Sequence, residues 1–96
     1  MKTELAKSLS GHDKGHFYFI WKKEGNFAFL VDGGAHPIAR PKKKNARHYQ
    51  VVKRIPEEIL AILSGDESLS DESVRRAVRA YERLQSRKAK QHEINQ

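Results

Sequence analysis

Residues 16–31, HFYFIWKKEGNFAFLV, set the architecture of the first half of the chain. Residues 16–22 and 27–31 are rich in aromatic and branched side chains, which favour strands. The residues between them, KEGN at 23–26, have a composition typical of a hairpin turn. The stretch therefore predicts two antiparallel strands joined by a tight connection.

The first strand of this hairpin is apolar on both of its sides. Because side chains alternate along a strand, Phe17, Phe19 and Trp21 share one side, while Tyr18 and Ile20 share the other. Both sides are apolar enough to be core, and one of them is available for the helices that follow. The sequence leaves open which side that is.

Three further strands are expected around the hairpin. They are predicted at TELAKSL (3–9), AHPIAR (35–40) and YQVV (49–52), the second weakened by Pro37. The glycine loop, GHDKG (11–15), has a glycine at each end that can adopt positive φ. Five short strands with tight turns in about 50 residues predict a small, strongly bent barrel.

The composition changes near residue 55. All four Phe, the single Trp and five of the six Gly come before it, whereas Glu, Arg, Leu and Ala dominate after it. The later residues are helix formers. We therefore divide the chain into a barrel over 1–54 and a helical extension over 55–96.

Two helices are predicted in the extension, over about 56–64 and 70–90. Pro56 suits the first position of one, and Gly65 suits its C-terminal stop. Ser70 is the expected N-cap of the other. The fold class is therefore mainly β with a C-terminal α part.

The second predicted helix is amphipathic. Its apolar face carries residues at helical spacing, namely Val74, Ala77, Val78, Tyr81, Leu84 and Gln85. The opposite sector, about 80° wide, holds five cations with no acid among them. This arginine stripe comprises Arg76, Arg79, Arg83, Arg87 and Lys90. Such a stripe can follow a phosphate backbone, or it is simply the solvated face of the helix.

The charge balance favours a polyanionic partner. Lys and Arg number 19 against 12 Asp and Glu, which gives a formal charge of +7. There are no cysteines, and no apolar run approaches the roughly 20 residues needed to cross a bilayer. The first 15 residues lack the apolar stretch of a secretory signal. We expect a soluble, cytoplasmic protein that does not bind membranes.

The most basic part of the chain is RPKKKNARHY at 40–49. Pro41 restricts the backbone and keeps it extended. The lysines after it supply point charges for phosphates, and Asn45 adds a donor and an acceptor for a base or sugar. Contact with nucleic acid is therefore one interpretation of this segment, and a solvent-facing basic loop is the other.

Catalytic and metal-binding patterns are not recognisable. His12 and His16 are four residues apart, but across a predicted turn rather than on one helix face, and no thiolate is available to complete a zinc site. No serine or threonine has a recognisable base arrangement around it, and no glycine pattern matches a phosphate-binding loop. We expect neither an enzyme nor a cofactor or metal site.

The hairpin and the loop before it resemble a known motif. Residues 5–33, LAKSLSGHDKGHFYFIWKKEGNFAFLVDG, are similar to the KOW motif of small SH3-like barrels in ribosomal proteins and transcription elongation factors. Gly11, Lys14 and Gly15 occupy the loop of that motif. The continuation, with VDG at 31–33 and RPKKKN at 40–45, resembles the archaeal and eukaryotic large-subunit ribosomal proteins of the "fourteen e" family.

The resemblance covers about residues 4–52 and implies an SH3-like barrel that binds ribosomal RNA through basic loops. The residues expected to contact RNA are His12, Lys14, Gly15, Arg40, Lys42, Lys43, Lys44, Asn45, Arg47 and His48. The secondary candidates are Arg76, Arg79, Arg83 and Arg87. The helical extension has no counterpart in that family.

We therefore expect an RNA-binding, ribosome-associated protein, with a monomer as the default state. Two alternatives remain open at this point. The first is a peptide-binding module in which Trp21 with Phe19 or Tyr18 forms an aromatic groove. The second is DNA binding by the same basic surface, as in transcription-associated KOW proteins.

Overall fold

The computed structural model describes residues 3–64 and 69–94, with side chains up to residue 89. Five strands precede two helices, α1 (Glu57–Ser64) and α2 (Asp71–Ile94). A 3-10 turn over Ala46–His48 connects the last two strands. The strands are β1 (Leu5–Ser8), β2 (Phe17–Glu24), β3 (Phe27–Val31), β4 (Lys42–Asn45) and β5 (Tyr49–Val51).

All strand pairs are antiparallel, and the order across the sheet is β4-β3-β2-β1-β5. The two edge strands are therefore β4 and β5, yet only the three residues of the 3-10 turn separate them along the chain. The sheet must curl strongly to bring its edges that close, which produces a small barrel. The predicted fold class, a small barrel followed by two helices, is confirmed.

Both sides of β2 are core, and they belong to two different clusters. Tyr18 and Ile20 face the inside of the curled sheet, where they pack with Ala28 and Leu30. The opposite side is covered by the helices through a cluster of Leu5, Phe19, Val31, Ile59, Leu63, Val74, Ala77, Val78 and Tyr81. This division settles which side of the strand the helices cover.

The hairpin of residues 16–31 forms as predicted, with one irregularity. The register of β2 against β3 shifts between Ile20 and Lys22, so Trp21 is the extra residue of a β-bulge. Trp21 and Lys22 together lie opposite Phe29. The bulge falls where β2 passes beyond the part of the sheet that α2 covers.

The strand predicted over 35–40 is wrong. Residues 32–40 form turns and bends instead, and their backbone groups bond locally or to α2. One carboxylate oxygen of Asp32 accepts the backbone N–H groups of Gly34 and His36, both at 2.9 Å. Pro37 has no N–H to donate to a neighbouring strand, so a strand here would lack one hydrogen bond of its ladder. The turn instead satisfies the N–H groups of Gly34 and His36.

The basic segment is extended as predicted, but it is not a loop. Residues 42–45 form β4, the fourth strand of the barrel, and pair with β3 from Leu30↔Lys42 to Phe27↔Asn45. Lysines are common on edge strands because their charges oppose further strand pairing. The alternation of β4 then places Lys42 and Lys44 on the inner side, and Lys43 on the outer side.

Helix α2 is fixed to the barrel through its first two turns. Ser70 caps it, because its hydroxyl accepts the N–H of Ser73 at 3.1 Å, which confirms the predicted N-cap. The Asp71 carboxylate accepts the N–H of Ile38 at 2.7 Å, and the Arg75 guanidinium donates to the Gly33 carbonyl at 3.0 Å. The loop over 32–40 thus connects barrel and helix.

Gly33 is required at this junction. Its φ is +75°, and a Cβ there would overlap with the Asp71 carbonyl oxygen and lie 2.8 Å from the Arg75 nitrogen. Both obstacles are backbone atoms of α2, so no side chain can move aside. The close approach of the loop to the helix therefore depends on the absence of a side chain.

The helix boundaries match the sequence closely. α1 begins one residue after Pro56, and α2 extends to Ile94, four residues beyond the predicted end. The expected stop at Gly65 and the side chain of Lys90 lie outside the described residues. Across residues 3–64 and 69–94, neither helix has the length and apolar character needed to span a membrane.

Candidate nucleic-acid interface

A buried carboxylate, Asp13, joins the glycine loop to β4. It accepts hydrogen bonds from the Ser8 hydroxyl at 2.9 Å and the Tyr18 hydroxyl at 2.8 Å. The ammonium groups of Lys42 and Lys44 lie at 3.0 and 3.1 Å from its two oxygens. Four side chains from three strands therefore converge on one acid. We call this group the Asp13 cluster.

Electrostatics in the Asp13 cluster favour the ionised acid. Burial by itself raises the pKa of Asp13, but the hydrogen bonds from Tyr18, Lys42, Lys44 and Ser8 outweigh it and hold the pKa well below its usual range. Burial and the neighbouring Asp13 charge raise the pKa of Tyr18, which therefore stays a hydrogen-bond donor. The cluster is thus a charged and fully bonded unit at neutral pH.

Two lysines predicted to contact RNA, Lys42 and Lys44, form ion pairs with this acid. The Lys44 side chain is only 10% exposed and also donates to the Ser10 carbonyl at 3.1 Å. Lys42 is more accessible, at 31%. Together with Asp13, these lysines contribute a net charge of about +1 rather than +2. Their first role is to hold the glycine loop against β4.

The other residues of the basic segment have different surroundings. The Lys43 ammonium lies 4.4 Å from the centroid of the Phe27 ring, on the outer side of β4. The Asn45 side chain accepts the Arg47 N–H at 3.0 Å and so caps the 3-10 turn. The oxygen expected to contact a base or a sugar is therefore used by the backbone.

The structure brings the two predicted RNA-binding segments to one end of the barrel. The Leu9 N–H donates to the His48 carbonyl at 2.8 Å, which ties the start of the glycine loop to the 3-10 turn. Lys44 ties the same loop to β4. Around this junction, which we call the basic end, the exposed residues are His12, Lys14, Gly15, Arg47 and His48.

The basic end holds cations without acidic partners. Within the described parts of the chain, Lys14 and Arg47 have no carboxylate oxygen within 4.0 Å, and neither does Arg40, which is exposed just before β4. The acid of the glycine loop, Asp13, is itself paired with Lys42 and Lys44. The surface at this end is therefore positive.

The arginine stripe lies on the exposed side of α2, opposite its buried face. Arg76, Arg79 and Arg83 line a shallow depression of about 710 Å³ whose apolar wall includes Ile62 and Ala80. Arg87 lines the next depression along the same groove between α1 and α2.

Acidic residues lie nearer to the stripe than the sequence predicted. Glu82 lines the same depression as Arg79, and Glu72 precedes Arg76 by one helical turn. Neither carboxylate comes within 4.0 Å of an arginine in the described residues. The stripe is therefore less uniformly positive than expected, although its arginines remain exposed.

A continuous surface connects the basic end with the stripe. A depression of about 280 Å³ beside the Asp13 cluster is lined by His12, His16, Asp32 and His36, among others. His16 and Asp32 also line the next depression, which Arg75, Arg79 and Glu82 line as well. One ligand of nucleic-acid size can therefore span the barrel and α2.

The aromatic groove considered for a peptide does not form as predicted. Phe19 and Tyr18 are both buried, so neither can join Trp21 in a surface groove. Trp21 is 37% exposed, and its exposed aromatic companion is Phe27 at 38%. The exposed aromatic surface therefore lies nearer the hairpin turn than expected.

Two features of the site were not predicted from the sequence. One is the role of Asp13. A sequence signal for it exists, because Asp13 is the one acid of the glycine loop, and Lys42 and Lys44, two residues apart on an extended segment, share a side. The other is the docking of residues 32–40 on α2, which depends on a contact across some 40 residues. The described residues contain no group of three or more potential metal ligands.

No family model matches the chain, and no curated protein is significantly similar to it. The resemblance to KOW proteins therefore stays a prediction.

Proposed function

We propose that the protein binds structured RNA through the basic end of the barrel and acts in association with the ribosome, in translation or ribosome assembly. The observation that carries this proposal is the convergence of two separate basic segments, residues 11–15 and 42–48, which the Asp13 cluster joins at one end of the barrel. A cytoplasmic location follows from the proposal. The formal charge of +7 supports a polyanionic partner.

The proposed mechanism is electrostatic capture on a rigid frame. Lys14, Arg40 and Arg47 neutralise phosphates, and each neutralised phosphate releases counterions from the RNA. The Asp13 cluster fixes the loop that carries Lys14, so little conformational entropy is lost on binding. The exposed His12 and His48 add hydrogen-bond donors and acceptors beside the cations.

The arginine stripe extends this footprint in the proposal. Phosphates along one RNA strand can follow the surface from His16 past Arg75 to Arg79 and Arg83. Shape recognition then comes from the fixed angle between the barrel and α2, which the contacts of Gly33 and Asp71 maintain. An A-form helix is recognised in this way through its backbone rather than through its base edges.

Co-sedimentation with ribosomal subunits tests the proposal. The wild-type protein is expected to sediment with subunits at low salt and to be released at high salt. Replacing Lys14 and Arg47 together by Gln is expected to release it at lower salt. The control variant replaces Lys23 and Lys88 by Gln, which removes the same charge from exposed positions away from the basic end.

Three outcomes oppose the proposal. Equal release of the two double variants would place the binding site elsewhere. Absence of the wild-type protein from the subunit fractions at low salt would contradict ribosome association. A duplex DNA that competes with ribosomal RNA at equal concentration would favour the DNA-binding alternative.

A further inference from the structure

We propose that the open part of the outer sheet face stacks unpaired bases of an RNA strand that leaves the structured region. This stacking face consists of Trp21, Phe27 and Phe29, with Lys22 and Lys43 beside them. The inference rests on the proposed RNA-binding function and adds a second surface with a different ligand chemistry. The basic end contacts phosphates, whereas this face contacts bases.

The register of the sheet places these residues together. Ala28 and Leu30 point inward, so Phe27 and Phe29 point outward. Ile20 also points inward, and the bulge after it sets Trp21 and Lys22 opposite Phe29. On the far side of β3, Phe29 pairs with Lys43 and Phe27 with Asn45.

α2 covers only one part of this outer face. Phe17 packs edge-to-face on Tyr81 with ring centroids 4.9 Å apart, and Phe19 and Val31 are buried in the same cluster. Beyond the bulge the face is uncovered, and Trp21 and Phe27 are 37% and 38% exposed. These two large aromatic rings on one sheet face therefore leave apolar surface that the fold itself does not fully bury.

Positive charge beside the rings identifies the chemistry of the occupant. The Lys43 ammonium lies over the Phe27 ring, 4.4 Å from its centroid, and no carboxylate in the described residues lies within 4.0 Å of it. Lys22 contacts Glu24 at 3.7 Å, but both side chains are about two-thirds exposed, so that pair is weak. A ligand with flat rings and negative charge satisfies both kinds of group.

Nucleotides have this combination, and proteins bind single strands with aromatic side chains and nearby cations. A purely apolar peptide would leave Lys43 desolvated without a counter-charge. The face is also continuous with the basic end, because β4 carries Lys43 and Asn45 and leads directly into Arg47 and His48. A strand held at the basic end therefore has a short path onto the rings.

The single tryptophan makes the test specific, since all tryptophan emission comes from Trp21. Three labelled RNAs of the same length are compared, namely a single strand, a duplex and an abasic single strand. Binding is measured by anisotropy of the label, and stacking by quenching of Trp21 emission. We expect all three to bind, but only the single strand with bases to quench.

Variants separate the stacking face from the basic end. Phe27→Ala is expected to weaken single-strand binding by about 5- to 150-fold, because a stacked base contributes about 1–3 kcal/mol, and to leave duplex binding unchanged. Lys43→Gln is expected to weaken single-strand binding as well. Lys23→Gln, which removes the same charge from a residue paired with Glu4 on the opposite face, is expected to have little effect.

The outcomes distinguish the two proposals. Binding of the single strand without quenching of Trp21, or equal quenching by the abasic strand, would overturn the stacking inference and leave the RNA-binding function intact. Absence of binding to every RNA would overturn both. Protection of Trp21 from acrylamide by a proline-rich peptide, with no protection by the single strand, would assign the face to a peptide partner instead.

Discussion

The ammonium group of Lys44 lies 3.1 Å from a carboxylate oxygen of Asp13, across a separation of 31 residues. This pair connects the glycine loop to β4, and Lys42 completes it from the same strand. Together with the Leu9–His48 backbone hydrogen bond, the pair fixes the glycine loop relative to the basic segment. The proposed RNA surface therefore depends on a buried acid whose oxygens are bound within the protein.

Removal of the Asp13 charge is expected to destabilise the barrel. Asp13→Asn keeps the size of the side chain but leaves Lys44 nearly buried without a counter-charge, and loss of one partner of a buried ion pair costs about 3–5 kcal/mol. Because Asn can still accept hydrogen bonds, we expect the free energy of unfolding, measured by urea denaturation, to fall by about 3 kcal/mol. Glu24→Gln is the control, since Glu24 is exposed. A loss below about 1 kcal/mol would show that the cluster is not structural.

The same acid predicts how stability depends on pH. The folded-state pKa of Asp13 lies below its unfolded value near 4, so its contribution is complete above that value and is lost as pH falls through the folded pKa. We expect the free energy of unfolding to decline as the pH drops below about 4. Asp13→Asn should decline less steeply over this range, and parallel curves for the two proteins would contradict the assignment.

Gly33 and Gly34 provide a matched pair for the junction with α2. Gly33→Ala places a Cβ against backbone atoms of Asp71 and Arg75 at a positive φ, so we expect a loss of about 3 kcal/mol or more in unfolding free energy. Gly34→Ala meets only an Asp32 oxygen at 3.8 Å, an ordinary contact, and should change stability by less than about 1 kcal/mol. Equal effects of the two substitutions in thermal denaturation would refute the close approach.

Most of the fold was predictable from local patterns. The hairpin at residues 16–31, the N-cap Ser70 and the apolar face of α2 follow from strand and helix periodicity, and the structure has all three. The position of the fourth strand was not predictable in this way. Residues 35–40 have better strand composition than the lysine-rich 42–45, but the lysines gain Asp13 as a partner once the barrel closes.

The candidate site was predictable in its location but not in its internal connections. Sequence patterns identified both basic segments, yet they treated Lys42, Lys44 and Asn45 as open contacts. The structure uses Lys44 and Asn45 to support the backbone, because a distant acid and a local N–H are their nearest partners. Such pairings depend on three-dimensional proximity, which a periodic pattern along the chain does not encode.

The arginine stripe gives a further prediction about the extent of the RNA surface. Replacement of Arg79 and Arg83 by Gln should reduce affinity for a long structured RNA, because the continuous surface lets that RNA reach α2. It should have little effect on a short hairpin that covers only the basic end. Stability should stay within about 0.5 kcal/mol, since both side chains are exposed. An equal loss of affinity for both RNAs, measured by filter binding, would contradict an RNA surface that extends onto α2.

The most direct test of the central claim is the salt dependence of RNA affinity for the wild type and for the Lys14→Gln/Arg47→Gln variant. If the basic end neutralises several phosphates, the logarithm of the association constant should fall with the logarithm of salt at a slope of about −3 to −5. For the double variant, this slope should be shallower by about 1.5–2. A flat dependence for the wild type, or identical slopes for both proteins, would contradict the claim.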